Sequence, residues 1–442
     1  MKDAQHILHS ATSPREVIAL GTELLALVVI IVIFVVGSFA VKLPIGLAMV
    51  AAAMGGTLVS GLGIPLRHLV EGGFGYIDTI LVIATAMIFM KVIQQSGTLD
   101  FISREIIIRY YKKPALLLML LMLLAMFPGM ITGSSTAAVL STGAIVAVVL
   151  INLGIPKVET AAIIAMGGLL GMIAPPVNVP VMIIGGGVDM PYVGFTLPLL
   201  LMTLPVAFFT VLFLGLKHCR DLDIEAIMGR LPEVPQVSGF LLLSPLLVVG
   251  ILMVATQALP GIVPALGMPL IFILGIITAI FTSKGVRPFE ACTSAIKDAL
   301  PVMGILVGIG MIIQVMTLTG VRGLIVIGAL SLPSVLLYLG IATSIPLFGT
   351  ISAYGSASVL GVPFLLALLG GNEIIVGSAL SLIASIGDLM PPTALAGIFA
   401  AQVVGIDNYF IVLRKCIIPA LVVILIGIFF VIYSKHFGFL IL

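Results

Sequence analysis

The stretch "LLGMIAPPVNVP" (residues 169–180) decides how this chain folds. It breaks an apolar run of membrane-helix character with two adjacent prolines, Pro175 and Pro176, and leaves an asparagine, Asn178, just beyond them. Proline has no N–H to give to a helix ladder, and it pushes the residue before it out of the helical region. Backbone groups freed inside a bilayer must be buried in protein or line a cavity. One such break is ordinarily a structural kink. A repeated set of breaks builds a site, and the rest of the sequence decides between the two.

The 442 residues are 61% hydrophobic and 9% charged, which leaves too little polar surface to cover a soluble globule. Apolar runs of about 18 residues or more recur along the whole chain, as in a polytopic helical membrane protein. The short alternating segments of a β-barrel are missing. A net charge of +2 is too small to point to nucleic acid. Cys219, Cys292 and Cys416 are isolated, so neither a disulfide framework nor a zinc site is indicated. The first 25 residues lack a small-residue cleavage site after a short apolar core, so no signal peptide is read there.

Working outward from 169–180, the pattern repeats. Gly171 and Pro175-Pro176 match Gly387 and Pro391-Pro392, 216 residues later. Gly187 and Asp189 match Gly405 and Asp407, 218 later. Arg67, Asp78 and Gln94 match Arg287, Asp298 and Gln314, 220 later, and Gly133-Ser134 matches Gly355-Ser356, 222 later. Any single pair is weak in so apolar a sequence. The ordered set, with a nearly constant offset, indicates duplication.

In the first half the apolar runs predict spans over 19–41, 44–62 and about 76–96, an amphipathic interfacial helix over 98–113, and a run over 114–151 interrupted at "GMITGSSTAA". A Pro-Pro-broken segment at 158–190 and a span at 194–216 follow. Taking 114–151 as a re-entrant hairpin gives five crossings, and an odd count inverts the second half relative to the first. Charges orient the chain. With 98–113 in the cytoplasm, Lys42, Arg104, Arg109, Lys112, Lys113, Lys157, Lys217, Arg220, Arg230, Lys284 and Arg287 fall inside, against Lys2, Arg15, Arg67, Arg322 and Lys435 outside. Both termini are then external. The second interfacial helix, about 319–332, keeps only Arg322 among basic residues, as expected of an outward-facing copy.

Each half thus has two interruptions: a small-residue tip, "ITGSSTAA" (131–138) and "SAYGSASV" (352–359), and a Pro-Pro break followed by a polar residue, Asn178 or Thr393. Freed carbonyls can coordinate a small cation, exposed helix N-termini can hold an anion, and hydroxyls serve either. Two tips and two broken helices that converge at the midplane make a binding site.

"GMITGSSTAA", with "AAIIAMGGLLGMIAPPVNVPVMIIGGGVDMPYVGFTLPLLL" and "SLIASIGDLMPPTALAGIFAAQVVGID", resembles the large membrane subunit of TRAP transporters, within a wider ion-transporter superfamily of inverted repeats. The resemblance covers nearly the whole chain. It implies an all-α polytopic protein of two inverted repeats with an elevator mechanism in the bacterial inner membrane. The implied division is an N-terminal segment (1–18), scaffold parts (19–113 and 238–332), transport parts (114–217 and 333–442) and a cytoplasmic link (218–237). It further implies Na⁺- or H⁺-coupled import of a small organic anion, usually a carboxylate (a dicarboxylate among them), with no organic cofactor. By position, Ser134, Ser135, Thr136, Asn178, Ser356, Ser358 and Thr393 match substrate-contacting positions, and Gly133, Asn178, Gly355 and Asp388 are candidate Na⁺ ligands. TRAP large subunits work with a small membrane subunit and an extracytoplasmic binding protein, neither of which is fused here. The second tip, "YGSASV", is closer to stand-alone gluconate permeases.

Two departures stand out. Val177-Asn178 replaces the usual serine, and an acid, Asp388, stands three residues ahead of the second Pro-Pro pair. Ionisable groups inside spans are functional candidates, and Asp388 reads as a cation ligand or proton carrier. It also supports an alternative, a cation/proton antiporter without an organic substrate. Asp78, Glu159, Lys297, Asp298 and Glu373 lie near span ends and read as interfacial or paired, Lys91 reads as snorkelling, and Gln94 and Gln314 read as inter-helix hydrogen bonders in preference to gate residues. Asp189 and Asp407 read as N-caps. Neither break motif contains Lys or Arg, so the tips alone would hold an anion through helix N-termini and hydroxyls. No nucleophile–base motif, metal cluster or P-loop is present, and an enzyme is not indicated.

Overall fold

The computed structural model describes residues 14–219, 238–259, 263–283 and 285–441. Residues 1–13 of the N-terminal segment and 220–237 of the link lie outside the described residues, as do Lys2, Arg220, Arg230 and Lys284 of the charge count. All described elements are helical, and eight helices are long and apolar enough to cross a membrane. The chain is an all-α, multi-pass membrane protein.

Helices come in the same order twice. The first half runs α1 (Pro14–Phe39), α2 (Ile45–Val59), α3 (Leu66–Phe74), α4 (Ile77–Gln95), α5 (Thr98–Tyr110), α6 (Pro114–Thr132), α7 (Ser135–Asn152), α8 (Lys157–Ile173), α9 (Val179–Gly186) and α10 (Thr196–Gly215). The second runs α11 (Gly239–Ala258), α12 (Gly267–Thr282), α13 (Pro288–Leu318), α14 (Val321–Ser331), α15 (Ser334–Gly349), α16 (Ala353–Ala367), α17 (Glu373–Ser385), α18 (Leu395–Val404) and α19 (Tyr409–Ile432). One continuous helix, α13, stands where the first half has α3 and α4. A π-helical segment, Ala357–Gly361, sits inside α16.

The ends of these elements correct the register of the repeat. Gly97 and Gly320, both left-handed with φ of 74° and 78°, open α5 and α14, an offset of 223 (320 − 97) rather than 220. At the tips, Ser134 caps α7 by accepting from the Ala137 N–H, and Ser352 caps α16 by accepting from the Gly355 N–H, each at 3.2 Å. That offset is 218 (352 − 134). The Gly133-Ser134 to Gly355-Ser356 match therefore slips by four residues, one helical turn. Pro128 in α6 and Pro346 in α15 lie at the same 218 offset and mark the true register in the sequence. The 216 offset of the Pro-Pro pairs holds.

Two apolar cores organise the molecule. The first joins α1, α2, α4, α12 and α13 and also takes in the buried faces of α9 and α16. The second is built from α6, α7, α8, α10, α18 and α19. The second hairpin and α9 are thus seated against scaffold helices. Within each half the broken helix meets the first arm of its hairpin at glycine. A Cβ on Gly171 would lie 2.9 Å from Met126 Cα, and one on Gly387 would lie 2.7 Å from Gly349 Cα. These are backbone contacts that no rotamer change can relieve, which gives the Gly171/Gly387 match its physical reason.

Two of the five charges near span ends, Asp298 and Glu159, are in ion pairs, and Asp78, Lys297 and Glu373 are in none among the described residues. Lys91 Nζ lies 2.7 Å from Asp298, bridging α4 and α13, and Lys415 Nζ lies 2.9 Å from the largely buried Glu159. The N-cap reading of Asp189 and Asp407 is corrected. Asp189 lies in the loop after α9 with φ 56°, and α19 is capped by Asn408, whose Oδ1 accepts from the Phe410 N–H at 3.1 Å.

Candidate functional site

A cavity of about 770 Å³ lies between the two hairpin tips and the scaffold. One wall is Thr132, Ser134, Ser135 and Thr136 from the first tip, Ile351, Ser352, Ala353 and Tyr354 from the second, and Asp388 and Thr393 from the second break. The opposite wall is one face of α4 (Met87, Met90, Lys91, Gln94) and one face of α13 (Lys297, Asp298, Pro301, Val302, Ile305), with Asp100 of α5 at its edge. The tip wall is polar because helices start there: the N-cap serines Ser134 and Ser352 both line the cavity.

Asp388 anchors that wall. It is 9% exposed and lies in the short 3-10 turn Ile386–Leu389 just ahead of the cis Pro391-Pro392 pair. Ser135 Oγ of the opposite half donates a hydrogen bond to its Oδ2. Among the described residues no Lys, Arg or His lies within ion-pair reach of it. Tyr354 Oη donates to the Gly133 carbonyl at 2.8 Å, tying one tip to the other. Thr393 Oγ1 donates to the Thr350 carbonyl at 2.5 Å, tying the second break to the second tip. A carboxylate, hydroxyls and carbonyls are thus held as three hydrogen-bonded pairs around the tips and the second break, and oxygen donors of these kinds are those a small hard cation takes.

The structure places the sequence candidates unequally. Ser134, Ser135, Thr136, Asp388 and Thr393 come together on the cavity wall. Asn178 is fully buried elsewhere, behind the first tip. Its Oδ1 accepts from the Val181 N–H at 2.9 Å, and its Nδ2 donates to the Ile173 carbonyl at 2.7 Å and to Ser381 at 3.0 Å. It joins both ends of the broken helix and has no group turned to the cavity. Ser356 and Ser358 are buried one turn into α16, back-bonded to the Ala353 and Gly355 carbonyls at 2.8 Å. The cavity positions of that tip belong to Ser352 and Tyr354, as the corrected register requires. Gly133 offers its carbonyl to Tyr354, and the Gly355 carbonyl is taken by Ser358.

Sequence reasoning missed the scaffold wall. Lys91, Gln94, Lys297 and Asp298 all line the cavity, although neither break motif holds a cation. Their spacing carries the signal: 87, 90, 91 and 94 share one helical face, as do 297, 298, 301, 302 and 305.

No protein-family model and no curated protein sequence matches the chain. Its fold is similar to two solved transporters. With the YdaH transporter of Alcanivorax borkumensis it shares 16% identity over 84% of this chain and 88% of that one, with a TM-score of 0.57. With MtrF of Neisseria gonorrhoeae, one of a class of antimetabolite efflux pumps, it shares 12% identity over 84% of each chain, with a TM-score of 0.58. At these identities the likeness is one of fold, and both of these solved structures are of transporters. The narrower TRAP resemblance rests on the sequence motifs alone.

Proposed function

We propose that this chain is a secondary active transporter that moves a small organic anion, coupled to Na⁺ or H⁺, by an elevator movement of its hairpins and broken helices. The observation that carries this reading is the convergence of both hairpin tips and the second break on one cavity, with Asp388 held by Ser135 in its wall. The fold shared with two transporters supports it. Asp388 and the tip carbonyls take the coupling cation, and Lys297 on the scaffold wall, which unlike Lys91 has no ion-pair partner among the described residues, gives an anion the charge that the break motifs lack. Small residues at the tips let the backbone N–H groups approach the substrate closely.

A second reading, a cation/proton antiporter without an organic substrate, is favoured by the single buried carboxylate at the convergence point. One experiment separates them. The purified chain is reconstituted into proteoliposomes under imposed Na⁺ or H⁺ gradients and given a panel of labelled carboxylates. Gradient-driven uptake and counterflow of a carboxylate support the first reading. Cation exchange without any carboxylate flux supports the second. Uptake by the chain alone removes the TRAP-like small membrane subunit and extracytoplasmic binding protein. Uptake only after a binding protein is added requires them. The direction of flux under a fixed gradient distinguishes import from the efflux attributed to MtrF.

A further inference from the structure

The cavity lies toward one end of the scaffold helices, against residues 87–94 of α4 and 297–305 of α13, and the other end of α4 is clasped. Tyr76 caps the start of α4, about 22 Å along the helix from Lys91 at 1.5 Å per residue. Its Oη, in a side chain only 5% exposed, donates to the Ile183 carbonyl of α9 at 2.8 Å. Its ring lies against Gly186, where a Cβ would come within 2.8 Å of it. Arg322, at the start of α14, donates from Nη2 to the Gly187 carbonyl at 2.6 Å, and its Nη1 is 3.5 Å from Thr317 near the end of α13. A helix C-terminus carries unpaired carbonyls and partial negative charge, so a guanidinium and a phenol are chemically suited to hold it.

We propose that Tyr76 and Arg322 form a polar clasp on the C-terminal end of α9 that seals one end of the scaffold–hairpin interface while the cavity is open at the other, and that the clasp must release before the cavity can open on the clasped side. The two ends are not equivalent copies of one device. Under the 223 offset set by Gly97 and Gly320, the position in α13 that corresponds to Tyr76 is Ala299 (76 + 223), which has no polar group to give to a carbonyl, and its neighbour Asp298 pairs with Lys91. The clasp therefore biases the molecule toward one state. The meaning of that bias for transport rests on the function proposed above, but the clasp itself can be tested without any substrate.

The test uses full-length protein in which Cys219, Cys292 and Cys416 are replaced by serine and Leu140, an exposed cavity residue, is replaced by cysteine. A membrane-impermeant maleimide is applied to each side of sealed vesicles in turn. The reporter protein should label from the open side. In the Tyr76→Phe, Arg322→Gln double variant, loss of one neutral and one charge-assisted hydrogen bond should raise labelling from the clasped side, relative to the open side, by about tenfold or more. Arg322→Lys should fall between the two. A second variant does not depend on weakening the fold: a Tyr76→Cys, Gly186→Cys pair, cross-linked by a short bifunctional thiol reagent before the reporter cysteine is exposed to maleimide by a deprotection step, should confine labelling to the open side. The clasp is overturned if the double variant labels like its parent from both sides, or if the cross-linked protein labels from the clasped side. Because no transported molecule is involved, a null result in the uptake assay leaves this result standing, and the reverse also holds.

Discussion

Replacing Asp388 by asparagine tests the centre of the proposed site. The two side chains are nearly isosteric, and the asparagine Oδ1 accepts the same O–H bond from Ser135 that the carboxylate accepts now. The fold should therefore survive, and what is lost is one unit of negative charge in a nearly dry position. A cation about 4 Å from that charge gains about 4 kcal/mol at an effective dielectric of about 20. Carbonyls and hydroxyls that remain, including those of Gly133, Thr350 and Thr393, recover part of it, and desolvation of the carboxylate offsets more. A net loss of about 2 kcal/mol is left, or about 30-fold in cation affinity. The assay is cation-dependent thermal stabilisation of the purified protein, titrated with Na⁺ and repeated in proteoliposome uptake. Stabilisation by Na⁺ should shift to about 30-fold higher concentration, or vanish from the accessible range. Unchanged Na⁺ and H⁺ dependence in Asp388→Asn would refute the assignment of the carboxylate to the coupling ion.

Asn178→Ala should behave in the opposite way. It removes a helix cap and strands the Ile173 carbonyl and Ser381, costing about 2–4 kcal/mol of stability, while the cation titration midpoint of the folded protein stays put. Gly387→Ala drives a Cβ against the Gly349 backbone and should cost about 1–3 kcal/mol, read as a lowered thermal midpoint. Tyr354→Phe unties the two tips at a cost of about 1 kcal/mol, so apparent cation affinity should weaken by a few-fold with little change in secondary structure by circular dichroism. Lys91→Gln should change stability by no more than about 1 kcal/mol, because Asp298 is half exposed. If the pair orders the cavity wall, the charge-swapped Lys91→Asp, Asp298→Lys protein should recover the uptake that the single variant loses.

The sequence by itself determined the membrane class, the duplication and the breaks. Apolar run length is dictated by bilayer thickness, and proline breaks a helix whatever surrounds it, so Pro175-Pro176 and Pro391-Pro392 were legible without coordinates. So was the likelihood of a role for Asp388, since a carboxylate inside an apolar run needs a reason to be there. The tertiary structure decided which residues share the cavity. A Gly-Ser pair matched one turn out of register, as Gly133-Ser134 was with Gly355-Ser356, turns its side chains by only about 40° around a helix, so composition and periodicity cannot detect the slip. It nevertheless moves Ser356 and Ser358 from the tip into the packed interior and puts Ser352 and Tyr354 in their place. Asn178 shows the same limit. A polar residue beside a break can face a ligand or satisfy the backbone that the break has freed. Only the positions of the Val181 N–H, the Ile173 carbonyl and Ser381 around it, contributed by segments up to 203 residues away, assign its hydrogen bonds to the fold.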